Sequence, residues 1–187
     1  MVDVRAAGTG TWPDVAAVMG ERGDPSRCLC QYFRLRGRAW SASSPSDNRL
    51  ALRSQVCHSE RPPGVLAYDG AEPVGWCAVA PRTSYPRIVA SPNWRTDCPD
   101  AWVITCFVVP PGHRRQGLAV ELAQGAVEFA RSYGAPVVEA CAVDTTTALR
   151  IPSANLYRGP LSTYLSTGFT EVTRTSPQWV LVRRHLD

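Results

Sequence analysis

The 187 residues contain no lysine: all 20 basic side chains are arginine, set against 16 acidic ones for a net charge of +4. Schiff-base catalysis by lysine and a lysine-dependent phosphate loop are therefore excluded, and the only cationic tool is a planar guanidinium that stays charged. Also missing is any apolar run near the length of a bilayer span. At 44% hydrophobic and 19% charged residues the composition is globular, and the length suits one domain, expected over residues 1–187. The seven cysteines are odd in number and lack framework spacing, and no signal-like segment precedes Val2-Asp3-Val4. A reducing, cytoplasmic setting is expected from this. Cys77, Cys106 and Cys141 fall inside apolar runs, where a thiol behaves as a small buried hydrophobe.

Read along the chain, Val2 to Arg5 suggests a short strand, and Thr11-Trp12-Pro13-Asp14 reads as a capping box opening a helix that stops at Gly20. Glu21 to Pro45 has no clean period but holds Cys28-Leu29-Cys30-Gln31-Tyr32-Phe33-Arg34-Leu35-Arg36, which predicts an ordered, partly helical loop with aromatic anchors. A second helix is expected over 47–58, and Gly64 to Val79 reads as a β-hairpin turning at Asp69-Gly70. After a polar connection with several prolines, Trp102 to Val109 is almost continuously apolar, as a strand buried on both faces would be. The next helix carries Leu118, Leu122, Ala126, Phe129 and Tyr133 on one stripe and stops at Gly134. Val137 to Val143 predicts a strand, Thr145 to Gly159 an irregular loop and Leu161 to Thr167 a short helix. Two strands around Phe169–Val172 and Trp179–Val182 close the chain, and no internal repeat is present.

The chemistry concentrates in Phe107-Val108-Val109-Pro110-Pro111-Gly112-His113-Arg114-Arg115-Gln116-Gly117-Leu118-Ala119, a buried strand that delivers a basic turn onto a helix start. Free N–H groups, the helix dipole and small residues at 117 and 119 make this an anion site. Gly112 and Gly117 have P-loop spacing, but Leu118-Ala119 stand where Lys and Ser or Thr are required, and G-x-G-x-x-G is absent. Cys28-x-Cys30 and Cys57-His58 are too tightly spaced for a zinc set, so no metal is expected. The arginines of Arg27 to Trp40 interleave with aromatics as in a nucleic-acid arm, yet a net charge of +4 is modest, and neither nucleic acid nor membrane is expected as a partner.

Arg114-x-x-Gly117-x-Ala119 after Phe107-x-Val109 resembles the acyl-CoA signature, Q/R-x-x-G-x-G/A, of the GNAT superfamily of N-acetyltransferases. Tyr164-Leu165-Ser166-Thr167-Gly168-Phe169 is similar to the Y-x-x-x-G-F segment after that family's fourth helix, and the order of elements agrees over nearly the whole chain. The resemblance implies a single domain of mixed α/β class, with a mostly antiparallel sheet splayed between its fourth and fifth strands and flanked by helices. It implies acetyl-CoA as cosubstrate, without a metal, and direct transfer of the acetyl group to a primary amine of a small molecule or protein. A homodimer is left open. A protein-lysine acetylase with this sequence could modify none of its own side chains, having no lysine.

By resemblance, the backbone of Phe107 and Val109 would pair with pantetheine, the N–H groups of Arg114, Arg115, Gln116, Gly117, Leu118 and Ala119 would hold the pyrophosphate, and a backbone N–H near Val108 would face the developing oxyanion. Tyr164 takes the general-acid position. Glu139, the one charge in an apolar strand, either lines a cleft or pairs with an arginine, and is the candidate for a catalytic or substrate-positioning carboxylate. Tyr32, Phe33 and Trp76 would shape the acceptor pocket, with Arg34 recognising a polar or acidic group on the acceptor. Two departures stand out: Tyr157 replaces the Asn common seven residues before the Tyr, and Tyr157-Arg158-Gly159-Pro160 interrupts the fourth helix. They keep open an alternative, a non-catalytic acyl-CoA-binding regulatory module. A thiol intermediate on Cys106 or Cys141 lacks an evident His partner.

Overall fold

A tight turn at Asp69-Gly70 folds β2 (Gly64–Asp69) and β3 (Glu72–Pro81), both buried along most of their length, into the expected hairpin. In the computed structural model, which describes residues 2–147, 151 and 153–186, that hairpin lies inside a seven-stranded sheet. Its other strands are β1 (Val2–Ala6), β4 (Trp102–Val108), β5 (Val137–Val143), β6 (Thr170–Arg174) and β7 (Trp179–His185). The order is β1-β2-β3-β4-β5-β7-β6, and every pairing is antiparallel except β4 with β5. The mixed, mostly antiparallel sheet is the one expected.

Helices α1 (Trp12–Met19), α2 (Asp24–Cys28), α3 (Gly37–Ser41) and α4 (Pro45–His58) precede the hairpin, α5 (Pro86–Val89) lies in the connection to β4, and α6 (Leu118–Ser132) and α7 (Leu161–Ser166) follow β4 and β5. The capping box predicted at Thr11 does not form: its hydroxyl accepts from the Gly8 N–H (2.9 Å) and donates to the Gly8 carbonyl (3.0 Å), tightening a 3-10 turn instead. The box lies at α4, which starts two residues earlier than expected. There the Ser44 hydroxyl accepts from the Asp47 N–H, and the Asp47 carboxylate accepts from the Ser44 N–H. Residues 148–150 and 152, part of the loop expected after β5, lie outside the described residues.

Two layers cover the sheet. Leu118, Leu122, Ala126 and Phe129 of α6 pack with Val65, Val79, Ile104, Val138 and Ala140 in the larger core, where each fully buried large aliphatic side chain contributes about 1.5–3 kcal/mol. On the opposite face α1 and α4 bury Val15, Leu52 and Val56 against Leu66, Trp76 and Val108, while Tyr85, Ile88 and Trp94 of the 82–101 connection cover Val103, Cys141 and Leu181.

Two irregularities in β4 set up the site. Ala78 pairs with Cys106 and Val79 with Ile104, so Thr105 is an unpaired bulge residue. Before it Trp102 and Ile104 face α6; beyond it Phe107 does, and Cys106 and Val108 turn to the other side. The ladder from β4 to β5 stops at Ile104 with Ala140, and beyond it β5 turns to a different partner, with Val143 bridging Pro160 and donating to the Gly159 carbonyl (3.0 Å). Among the described residues the second half of β4 therefore has no strand on that edge.

Candidate active site

A cleft of about 1290 Å³ runs along that bared stretch of β4, from the turn at the start of α6 to the bulge at Thr105. Its floor is Thr105 to Pro111, one end is Arg114, Arg115 and Gly117 to Val120, with the Gln116 side chain outside the lining, and its walls come from the ends of α1 and α2, from Cys30, Tyr32 and Phe33, and from the 156–163 segment.

The basic turn is shaped by two left-handed residues, Arg115 (φ 61°) and Gly117 (φ 80°). Nothing lies within 4 Å of a Cβ built on Gly117, so the turn there calls for its backbone angle rather than for space. Arg114 Nε donates to the Val109 carbonyl (3.0 Å) and Gln116 Nε2 to the Gly112 carbonyl (3.2 Å), bracing the loop against the strand that delivers it. The N–H groups of Val120 and Glu121 return to the Gly117 carbonyl. Among the described residues the amides of Arg115, Gln116, Gly117, Leu118 and Ala119 find no acceptor, and they stand at the positive end of a 15-residue helix. Phe107, Val108, Val109 and the basic turn are thus brought together on one cleft.

The candidate catalytic pair is not. Tyr164 is fully buried under the final strands and absent from the cleft lining. Its hydroxyl donates to the Arg158 carbonyl (2.6 Å), and burial pushes its pKa well above the usual range. It anchors the segment that borders the cleft. Gly159 sits there at φ 88°, where a Cβ would lie 2.7 Å from Phe107 Cε2. Glu139 lies on the sheet face beneath the 82–101 connection, away from the cleft and fully buried. One carboxylate oxygen accepts from Arg183 Nε (3.0 Å), Arg183 Nη2 (2.7 Å) and the Thr96 hydroxyl (2.6 Å), and the other lies 3.9 Å from Arg82. Of the two roles open to it, the structure gives Glu139 the pairing with arginine.

Of the acceptor-pocket candidates, Tyr32 and Phe33 line the cleft and also an adjoining cavity of about 360 Å³. Trp76 does not reach either: it is wholly buried in the smaller core and donates from Nε1 to the Cys30 sulfur (3.3 Å). Arg34 is also outside both, with its guanidinium 4.9 Å from the centre of the Tyr85 ring.

Several lining residues lie outside the candidate set drawn from the sequence. Tyr157, noted there only as a departure, is half-buried in the cleft wall, and its hydroxyl oxygen accepts from Arg158 Nε (3.0 Å). Burial pushes its pKa up. Cys28, Cys30 and Cys106 also line the cleft. A hydrogen bond from the Cys106 thiol lowers the pKa of Cys30 against the effect of burial, and Cys106 as the donor is held well above the ordinary thiol range. All seven cysteines are free thiols. Among the described residues that line the cleft, Asp24 is the only carboxylate and none is histidine. Among the described residues no cluster of three or more His, Cys, Asp or Glu is arranged to hold a metal, and no helix is long and apolar enough to cross a membrane.

The family model of the acetyltransferase (GNAT) family matches residues 29–159. Among curated proteins no relative matches the chain. Similar solved structures include the GNAT domain of S. lividans PAT, 17% identical with a TM-score of 0.59, covering 99% of this chain and 90% of that one. The aminoglycoside acetyltransferase AAC(6')-Ib, solved with coenzyme A and kanamycin, is 15% identical with a TM-score of 0.56 and coverages of 99% and 95%. The protein yncA of Salmonella typhimurium, solved with its cofactor acetyl-CoA, is 13% identical with a TM-score of 0.54 and coverages of 100% and 94%. At these identities the likeness is one of fold.

Proposed function

Since this chain belongs to the acetyltransferase (GNAT) family, we propose that it transfers the acetyl group of acetyl-CoA to an amine. The observation that carries this reading is the row of five unpaired amides at the head of α6, beside a strand edge left open by the splay. Such a row suits a pyrophosphate, since aligned N–H groups and the helix dipole favour an anion there. The bared backbone of β4 suits an extended amide-bearing arm. Acetyl-CoA supplies the activated acetyl thioester, and the chain supplies binding, orientation and proton handling.

In this reading the amides of Arg115 to Ala119 hold the pyrophosphate, with Arg114 and Arg115 adding charge. The backbone of Phe107 and Val109 aligns the pantetheine arm toward the bulge. A backbone N–H near Val108 meets the negative charge that develops on the carbonyl oxygen, a preorganised donor worth about 100-fold or more in rate.

The acid is Tyr157 rather than Tyr164. Arg158 donates to the Tyr157 oxygen, which leaves the phenol proton free to be given in the cleft, whereas the Tyr164 proton is committed to a buried carbonyl. With Asp24, exposed at the start of α2, as the only carboxylate of the lining, the amine enters as its free base. Turnover then rises with pH until the acceptor's own amine is deprotonated.

The test is release of the CoA thiol from acetyl-CoA, scored against a panel of amines, with calorimetric titration of CoA alongside. Amine-dependent release supports the reading. Tight CoA binding with no release by any amine replaces it with a non-catalytic acyl-CoA-binding module.

A further inference from the structure

The cavity of about 360 Å³ beside the cleft is walled by Tyr32, Phe33, Trp94 and Trp179, with Arg87 and Arg158 as its cations. Arg158 is enclosed by rings: its guanidinium carbon lies 4.6 Å from the centre of Trp179, 5.3 Å from Phe33, 5.5 Å from Tyr157 and 5.9 Å from Trp94. Arg87 lies 4.1 Å over Tyr32 and is aimed by Nε donations to the carbonyls of Tyr32 (2.7 Å) and Leu35 (3.1 Å). Neither arginine meets a carboxylate among the described residues, although five others do: Arg5, Arg82, Arg131, Arg174 and Arg183. Ring faces stabilise a guanidinium from above and below but do not satisfy the N–H groups in its plane. Arg158 also hydrogen-bonds Tyr157 and Cys141, which are neutral, so two part-buried cations on one small aromatic cavity, with no carboxylate against either among the described residues, make it electropositive and suited to an anion.

The wall of Tyr32 and Phe33 is common to this cavity and the cleft, and Tyr157 touches Arg158 from the cleft side. We propose that the cavity is the acceptor's anion subsite, where Arg158 and Arg87 hold the carboxylate of a small, amino-acid-like molecule whose amine reaches into the cleft. This assignment rests on the acetyl-transfer reading above. The planar fork of a guanidinium matches a carboxylate, and the volume lies at the lower end of small-molecule sites. Ser91, Asn93 and Thr175 on the rim add hydroxyl and amide groups for the polar edge of such a ligand. The subsite replaces Arg34, which the sequence pointed to and which lies outside the cavity.

Two measurements on the full chain test this. In the thiol-release assay, amino acids are compared with their amides, which keep the amine and lose the charge. In a second arm, CoA-loaded protein is titrated with benzoate and with benzamide, read by the fluorescence of Trp94 and Trp179. Amino acids are expected to outperform their amides, and benzoate to bind where benzamide does not. Arg158→Gln should raise KM for the acid, or Kd for benzoate, by about tenfold to a hundredfold. Ser91→Asp sets a negative charge on the rim without opening a hole in the aromatic box, and should have the same effect while Tm and CoA affinity stay at wild type. Amides used as well as acids, or benzoate bound equally by wild type and both variants, overturns the subsite. No thiol release with any amine, alongside benzoate binding that still depends on Arg158, leaves the anion site standing and removes the acetyl-transfer reading.

Discussion

Replacing Glu139 by Gln keeps the shape of the side chain and removes its charge. The native carboxylate is fully buried and accepts from Thr96 and twice from Arg183 through a single oxygen, while its second oxygen and Arg82 Nη1 face each other at 3.9 Å as an ion pair without a hydrogen bond. The substitution leaves a carbonyl oxygen for some of these donors but strips the counter-ion from Arg82 altogether. Arg183 retains only Asp97, whose side chain is 81% exposed. Removing one partner of a buried pair costs about 3–5 kcal/mol, and the retained acceptor argues for the lower end, about 3 kcal/mol. For a chain of this size that corresponds to a fall in Tm of about 6–12 °C. Thermal melts followed by circular dichroism measure the fall, and thiol-release kinetics well below Tm measure the other half of the expectation. There kcat and KM should stay within about twofold of wild type, because the group lies outside the cleft. An unchanged Tm with a lost kcat would refute the reasoning and return Glu139 to the mechanism.

Three further outcomes are expected. Tyr157→Phe should lower kcat by about 100-fold with KM for acetyl-CoA preserved, whereas Tyr164→Phe should cost about 1–2 kcal/mol of stability through the orphaned Arg158 carbonyl and leave kcat nearly unchanged; the opposite pattern in the two variants exchanges their roles. Gly159→Ala should destabilise by about 2–4 kcal/mol in denaturant melts, from a left-handed backbone and a Cβ pressed onto Phe107, and should weaken CoA binding in calorimetry, since that segment borders the cleft. Bonds from Thr146 and Arg174 hold the Asp144 carboxyl down at about 2. An unfolded aspartate titrates at about 3.9, so the unfolded state takes the proton first, and this group's stabilisation is full above about pH 4 and fades as the pH falls toward about 2. The Tm difference between wild type and Asp144→Asn should therefore shrink over that acid range, and a constant difference would contradict the linkage.

The basic turn was legible because its chemistry is local: a strand, a glycine at 117 and an apolar stripe beginning at Leu118 lie within one stretch of chain. The hairpin and β5 were legible for the same reason, and both were found where expected. The roles of Glu139 and Tyr164 were not, because they depend on distant or folded-state partners: Thr96, Asp97 and Arg183 stand 43, 42 and 44 residues from Glu139, and the carbonyl that takes the Tyr164 proton belongs to a segment with no periodic signal. An unbroken apolar run likewise conceals the bulge at Thr105, since burial on both faces erases the alternation that would mark an extra residue. Arg158 carries no signal of its own in the sequence because a cation's value comes from the rings around it, and three of those, Phe33, Trp94 and Trp179, arrive from other parts of the chain.

The central claim is that the turn at the head of α6 and the bared edge of β4 together hold acetyl-CoA. Backbone amide resonances of Arg115 to Ala119, followed as CoA is titrated into the labelled protein, test it most directly. The account predicts that these five amides shift together, with Phe107 and Val109 following along the strand, and that their exchange with solvent slows on binding. CoA binding that leaves all of them unmoved would contradict it.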